Sequence, residues 1–508
     1  MLLSDADVAL SGESCQAAVA AFAEAVAPLV PPRGRIGVLL PPSAAQALAI
    51  AQVMASGRVP VVLDPWTPPG RLAEVCRRGR LHGLVALAGG AAGEEPQAPP
   101  AQGPPLILVD RCGGVAATRS GGADPAPLPP PGAALILNTS GSTGDPKAVV
   151  LPWEGLAGIV DFLIGRFGLG ADTVAAVTLP LHHTMALNTQ FLPTLLAGGR
   201  SVVTDAGLAL GRTYRDLLAS GATFVSLVSE MLRPCLLEKE RRGLAPAFTV
   251  TEMQISGSMI HGEHLEMARE LFPNARLHKG YGLTEAIRVT MIDSLHPCFG
   301  EPAAGFPLPG QEVIVRDERG RRLPAGARGR VCVRGPQVML GYDGEGEQPF
   351  RDGFLETGDL GYLTEDGRLV LEGRVDGIFK SYGRRIAAAE IERAALRWPG
   401  VAAARCIAVP CPARGMRPVL FVEPEGRPGE LRELEAVLKR ELEGYKVPRE
   451  IVLVEALPRS ATGKIAAREL ERLWREGEPL AELGRGPLGC RFRRLDVSAP
   501  LSGRRALA

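Results

Sequence analysis

The 508-residue sequence has almost no net charge: 57 Lys and Arg stand against 56 Asp and Glu, for +1 at neutral pH. Without a basic excess it lacks the electrostatic footprint of a nucleic-acid binder, and no nucleic-acid partner is expected. It also has no run of about 18 uninterrupted apolar residues, so no membrane insertion is expected. The opening stretch MLLSDADVAL carries acid where a secretory leader needs basic residues, and a soluble, cytoplasmic protein is expected. Nine cysteines are scattered without a CxxC pair, and the nearest two, Cys406 and Cys411, have no histidine cluster beside them. That spacing favours reduced thiols over disulfides or a zinc site.

Against these absences stands one concentrated polar stretch, TSGSTGDPK, from Thr139 to Lys147. Glycines loosen helix and strand alike, and Ser and Thr side chains compete for backbone hydrogen bonds, so this is a loop. Its flanks, AALILN (Ala133–Asn138) and AVVLP (Ala148–Pro152), have the apolar character of buried strands. Inward-turned amides, hydroxyls and an exit lysine between two strands form an anion cradle or, on composition alone, an ordinary surface turn. The P-loop of nucleotide triphosphatases is excluded: Asp145 and Pro146 separate Gly144 from Lys147, and Ala148 follows instead of Ser or Thr.

At this length more than one core is expected. In the first third, apolar runs such as RIGVLL, VPVVLDP and LHGLVAL alternate with helix-like segments such as SAAQALAIAQVMAS. Such alternation predicts α/β crossover units in a largely parallel sheet. Residues 88–131, rich in Gly, Ala and Pro and broken only by LILVD, are expected to be a surface excursion. Beyond about Val375 the chain turns to short strands mixed with amphipathic helices, the clearest carrying Leu431, Leu434, Leu438 and Leu442 on one stripe. The expected organisation is a large α/β domain over 1–374, a small α+β domain over 375–475, and a disordered basic tail over 476–508. Six arginines against one aspartate from Gly484 onward, with no sustained period, carry that last expectation.

Four further stretches complete a pattern: YGLTE (Tyr281–Glu285), VRGPQVMLGY (Val333–Tyr342), ETGDLGYLTEDGRLVLEGRVDGIFKSYGRRI (Glu356–Ile386) and RSATGKI (Arg459–Ile465). In this order and spacing, together with the polar loop, they resemble the adenylate-forming superfamily, which includes acyl- and aryl-CoA synthetases, peptide-synthetase adenylation domains and firefly luciferase. The resemblance extends from near the N-terminus to about residue 475. It implies an enzyme that activates a carboxylate with ATP and Mg²⁺, releases pyrophosphate, and passes the acyl group to a thiol. It also implies a layered α/β large domain and a mobile C-terminal domain.

By resemblance, Thr139, Ser140, Gly141, Ser142, Thr143, Gly144 and Lys147 hold the β- and γ-phosphates. Thr284 and Glu285 serve the phosphates, with Glu285 on Mg²⁺; Tyr281 stacks near adenine, Asp359 accepts from the ribose hydroxyls, and Arg374 supports the ribose or phosphate side. Lys464 bridges the substrate carboxylate and the α-phosphate. Asn138 before the loop and Ala148 after Lys147 depart from the family's usual residues. In TLPLHHTMALNTQ (Thr178–Gln190), His183 takes the place at the carboxylate end of the acyl pocket, and no aspartate there answers an α-amino group.

The other expected wall residues, Met185, Val225, Ser226, Met259, Ile260 and Ala286, are apolar or small, which suits an acyl chain or a plain aromatic ring. No charged residue is expected in that wall, and a monocarboxylic acid follows. GRVDG (Gly373–Gly377) matches the family hinge at Asp376, and KSYGRRI, with Gly383, the segment that lines the thiol tunnel. The acceptor is expected to be CoA, with the phosphopantetheine arm of a carrier protein as the alternative. A non-catalytic nucleotide-binding relative is disfavoured by the presence of Glu285, Asp359, Arg374 and Lys464 together.

Overall fold

The computed structural model describes residues 3–5, 7–65, 67, 69–88, 103–121, 126–140, 146–204, 212–256, 260, 262–344, 348–374, 378–412, 415–424, 431–458, 467–475, 481–485 and 490–495. The chain divides into two units, the second built mainly from residues 376–508.

In the first unit, strand Arg35–Leu39 is flanked in parallel by Val59–Val62 and Gly83–Leu87. These strands are buried along nearly their whole length. Continuous apolar runs of this kind form where a parallel sheet is covered on both faces. Ala133–Ser140 joins the same sheet beside Val59–Val62, with Pro146–Pro152 as its other neighbour, so the two apolar flanks of the polar loop are adjacent strands. Helix Ala44–Ala55 starts at Ser43, whose hydroxyl accepts from the Gln46 amide at 3.2 Å. Within the expected surface excursion, Val115–Arg119 pairs antiparallel with Leu106–Val109 and forms the sheet edge. Its residues alternate no apolar face and are mostly exposed, which is why the sequence pattern did not announce a strand.

A second sheet of the first unit runs parallel through Val174–Val177, Arg200–Val203, Phe224–Val228, Glu252–Ser256 and Arg276–Leu283. It then turns back antiparallel as Ala286–Asp293. A third sheet, antiparallel, is built from strands between Glu312 and Arg374. No described helix is long and apolar enough to cross a membrane.

In the second unit, Leu434, Leu438 and Leu442 are buried, as the leucine stripe requires. The sheet beneath includes Val401–Cys411, Gly415–Pro424 and Glu450–Val454. The expectation of a disordered tail is overturned for residues 481–485 and 491–495. Arg491–Leu495 pairs in parallel with Glu450–Val454, and Ala481–Arg485 pairs with it in turn. Cys490 is fully buried, and Arg493 pairs with Glu450 at 3.2 Å. An arginine run that reads as solvated in isolation becomes a strand because a neighbouring strand supplies the counter-charge. Residues 496–508 lie outside the described residues.

Candidate active site

YGLTE ends strand Arg276–Leu283 and makes a tight hairpin, with Leu283 paired to Ala286 and Thr284 and Glu285 as the two turn residues. Glu285 is buried. Its carbonyl accepts from the Met339 amide at 2.9 Å, and a bridge between Ala286 and Val338 continues the contact. Farther along, Leu340 donates its amide to Val150, and Tyr342 pairs with Val149 on strand Pro146–Pro152. The segment 338–342 therefore stitches the hairpin turn to the strand that leaves the polar loop.

Its last residue completes the site. Tyr342 donates its hydroxyl to a Glu285 carboxylate oxygen at 3.2 Å, and its ring lies 4.6 Å from the Lys147 ammonium. Lys147 and Val149 point to the same side of their strand, so a side chain opposite Val149 lies diagonal to the lysine. Tyr342 was not among the expected site residues, although it ends the VRGPQVMLGY motif. An aromatic between an acid and a lysine distant in sequence gives no local signal.

Asp359 lies on strand Phe354–Leu363, buried. The Thr357 hydroxyl donates to the Val331 carbonyl at 2.8 Å and accepts from the Asp359 amide at 3.1 Å, which orients the ETGD segment. Tyr281 donates its hydroxyl to an Asp359 carboxylate oxygen at 2.5 Å. Arg374 is the register partner of Asp359 on the adjacent strand. Thr139 is buried at the end of strand Ala133–Ser140. Thus Tyr281, Glu285, Lys147, Asp359 and, through its backbone, Arg374 are tied by direct contacts to neighbours within one unit. Gly141, Ser142, Thr143, Gly144, Met259, Asp376 and Lys464 lie outside the described residues, and Ser140 is described in its backbone alone. Gly383, in the second unit, has φ +72 and follows Tyr382 at φ +51 in the turn between the paired residues Ser381 and Arg384. A two-residue hairpin turn with both φ positive is where glycine costs least.

The expected acyl wall divides. Val225 and Ser226 are consecutive on strand Phe224–Val228 and both fully buried, so alternation sends them to opposite faces and they cannot line one pocket together. Ser226 is the member on the polar side. Its hydroxyl accepts from the Gln254 amide at 2.5 Å, and the same amide donates to the Thr189 carbonyl at 2.8 Å. Thr189 belongs to a π-helical turn, Leu187–Phe191, and its hydroxyl donates to the Met185 carbonyl at 2.8 Å. His183 opens the preceding short helix, Thr184–Ala186, with its ring 4.4 Å from that of His182. Ile260 is half-buried and Ala286 fully buried.

A buried charge that sequence reasoning did not single out joins the network around Gln254. Arg288, on strand Ala286–Asp293, is buried, and its Nη2 donates to the Gln254 side-chain oxygen and to the Thr189 hydroxyl, the latter at 3.4 Å. Burial pushes its pKa down to about 10. Arginine on a strand usually marks a solvated face, and only the fold turns this one inward.

Residues 3–343 match the AMP-binding enzyme family, and residues 390–464 match the AMP-binding enzyme C-terminal domain. The chain is 31% identical to the 4-coumarate-CoA ligase-like 4 protein of Oryza sativa subsp. japonica, over 67% of its own length and 63% of that protein's, so under two thirds of the rice protein is matched. It is 33% identical to the sulfoacetate-CoA ligase of Cupriavidus necator over 68% of each chain. In backbone it superposes on the o-succinylbenzoate CoA synthetase of Bacillus subtilis with a TM-score of 0.77 at 22% identity, covering 93% of this chain and 95% of that one, which establishes the fold. With the hairpin, the ETGD strand and the lysine after the polar loop already placed, the match over two thirds of the sequence leads to one conclusion: the chain belongs to the AMP-binding enzyme family, within the adenylate-forming superfamily of acyl- and aryl-CoA ligases.

Proposed function

We propose that the protein couples a small carboxylic acid to the thiol of CoA in two steps. A carboxylate oxygen attacks the α-phosphorus of ATP and pyrophosphate leaves; the thiol then attacks the acyl carbon and AMP leaves. Free carboxylate resists nucleophiles because oxide is a poor leaving group, and AMP replaces it with a good one. The observation that carries this reading is Tyr342, which holds the carboxylate of Glu285 at its hydroxyl and the ammonium of Lys147 over its ring. In-line displacement at phosphorus calls for such positioned charge more than for covalent help.

Lys147, with Thr139, Ser140, Gly141, Ser142, Thr143 and Gly144, would hold the leaving phosphates, and Thr284 would add a hydroxyl. Asp359, fixed by Tyr281 and Thr357, and Arg374 opposite it would orient the ribose, with Tyr281 beside the base. Glu285 offers one buried oxygen ligand, and no cluster of three or more His, Cys, Asp or Glu is found among the described residues. One carboxylate completed by phosphate oxygens and water is a set that suits Mg²⁺. Bound there, Mg²⁺ would offset the charge developing on pyrophosphate. His183, Met185, Ser226, Ile260 and Ala286 would face the acid, and Lys464 would meet its carboxylate at the α-phosphate. Asp376 would be the pivot that exchanges Lys464 for the thiol tunnel at Gly383. The relatives named above are CoA ligases, which favours CoA over a carrier protein as acceptor.

The test is carboxylate-dependent exchange of pyrophosphate into ATP, followed by thioester formation with CoA or with a pantetheinylated carrier protein. Lys464→Ala should lose on the order of 10²–10³ in exchange rate while still converting preformed acyl-adenylate to thioester. Equal loss in both half-reactions would overturn the assignment of Lys464, and absence of exchange with every acid would overturn the function.

A further inference from the structure

Several buried cations in the described residues come with partners of opposite charge. Arg35 faces Asp343 at 2.7 Å, Arg316 faces Asp352 at 3.2 Å, Arg368 faces Glu301 and Asp366, and Lys446 lies between Glu390 and Glu443. Arg288 does not come so paired, and neither does Lys279, whose ammonium donates to the Glu301 carbonyl and lies over the Phe299 ring. The bonds of Arg288 run from Nη2 to a neutral amide oxygen and a hydroxyl, and no aspartate or glutamate among the described residues pairs with it. A guanidinium removed from water without a counter-charge is costly, and the cost is relieved when an anion reaches it.

The backbone around it is arranged to bring the charge to this place. Between Tyr281 and Leu283 the hairpin register shifts, and Arg288 sits in the bulge with φ +45, a conformation that disfavours any residue with a Cβ. The side chain then runs across the neighbouring strand at Gly280, where a Cβ would stand 2.8 Å from Nη1, and reaches Gln254 on the strand beyond. Gln254 and Ser226 are register partners, and Thr189 is bonded back to Met185. The guanidinium is therefore joined through one polar network to the Ser226 hydroxyl and to the backbone of Met185, and it stands three residues beyond Glu285 on the same hairpin. A bulge that spends backbone strain to aim a charge, with a glycine opposite to let it pass, is the kind of feature found at binding sites.

Building on the adenylation activity proposed above, we infer that Arg288 is the counter-ion for a second anionic group of the substrate, so that the acid is a dicarboxylate or a sulfo-carboxylate. One carboxylate reacts with ATP while the other anion is held by the guanidinium, whose planar fork matches either group in two parallel hydrogen bonds. Gln254 and Thr189 fix the plane of the fork from behind. This replaces the monocarboxylic acid that the apolar side chains alone suggested.

The experiment compares acids in pairs by pyrophosphate exchange: straight-chain dicarboxylates of three to six carbons and the three benzenedicarboxylates against their monomethyl esters, and sulfoacetate against acetate. The wild-type enzyme should use at least one doubly anionic acid with kcat/KM on the order of 10²-fold or more above its singly charged partner, since a site built for a polar group rejects the analogue lacking it. The carboxylate and sulfonate arms identify the anion. Arg288→Met should erase the preference, bringing kcat/KM for the doubly anionic acid down to that of its singly charged partner, whereas Arg288→Lys should retain part of it. Exchange with singly charged acids equal to or better than with their doubly anionic partners would overturn the inference and leave the adenylation activity standing. Absence of exchange with all acids would remove both. The wild-type comparison decides the matter even if Arg288→Met does not fold.

Discussion

Replacing Tyr342 by phenylalanine removes one hydroxyl and keeps the ring over Lys147. The lost interaction is the hydrogen bond to the Glu285 carboxylate at 3.2 Å, long for a hydroxyl donor. A hydrogen bond to a charged group contributes about 1.5–3 kcal/mol, and at this length the lower end applies. If Glu285 must be held in place to meet the Mg²⁺-nucleotide, about 1.5 kcal/mol corresponds to roughly a tenfold loss in kcat/KM for ATP. Tyr342→Ala also removes the contact between ring and ammonium, worth about 0.5–2 kcal/mol more, for a total loss of about 30- to 300-fold. The assay is pyrophosphate exchange at saturating acid with Mg²⁺-ATP varied, circular dichroism serving as the control for folding. The acid KM should move little, because Tyr342 contacts Glu285 and Lys147, both assigned above to the proposed nucleotide side. Wild-type exchange by Tyr342→Phe would refute the role given to the hydroxyl, and equal losses in the two variants would refute the contribution given to the ring.

Two further outcomes concern stability. His278 is fully buried, and burial outweighs its Glu252 partner at 2.6 Å, so its pKa lies below the ordinary histidine value. The unfolded chain takes up a proton near pH 6.5 that the folded imidazole refuses, so stability is complete above about pH 6.5 and declines as the pH falls through the folded pKa. Thermal unfolding between pH 7.5 and 5.5 should show this decline in the wild type and a shallower one in His278→Gln; identical slopes would contradict it. Ending the chain after Arg475 strips the parallel neighbour from strand Glu450–Val454 and removes buried Cys490. Calorimetry of the shortened protein should find the second unit's transition lowered by about 5 °C or more, and an unchanged transition would show that residues 481–495 add nothing to that sheet.

Sequence alone carried the motifs of the proposed nucleotide side, because they are local. A loop of glycines and hydroxyls between apolar strands, a two-residue turn in YGLTE and an aspartate after a threonine in ETGD each carry their geometry within a few residues. Period and alternation likewise announced the parallel strands of the first unit and the leucine stripe of the second. What depended on pairing between distant segments was not legible. The arginine-rich tail became strand only because Glu450 waits beside it. Val225 and Ser226 parted because consecutive strand residues face opposite ways. Tyr342 joined Lys147 to Glu285 across nearly two hundred positions of chain. Arg288 belongs to the same class: its charge is written in the sequence, but a strand arginine is ordinarily solvated, and only a register shift at one hairpin and a glycine on the neighbouring strand decide that it points inward without an acid to meet it.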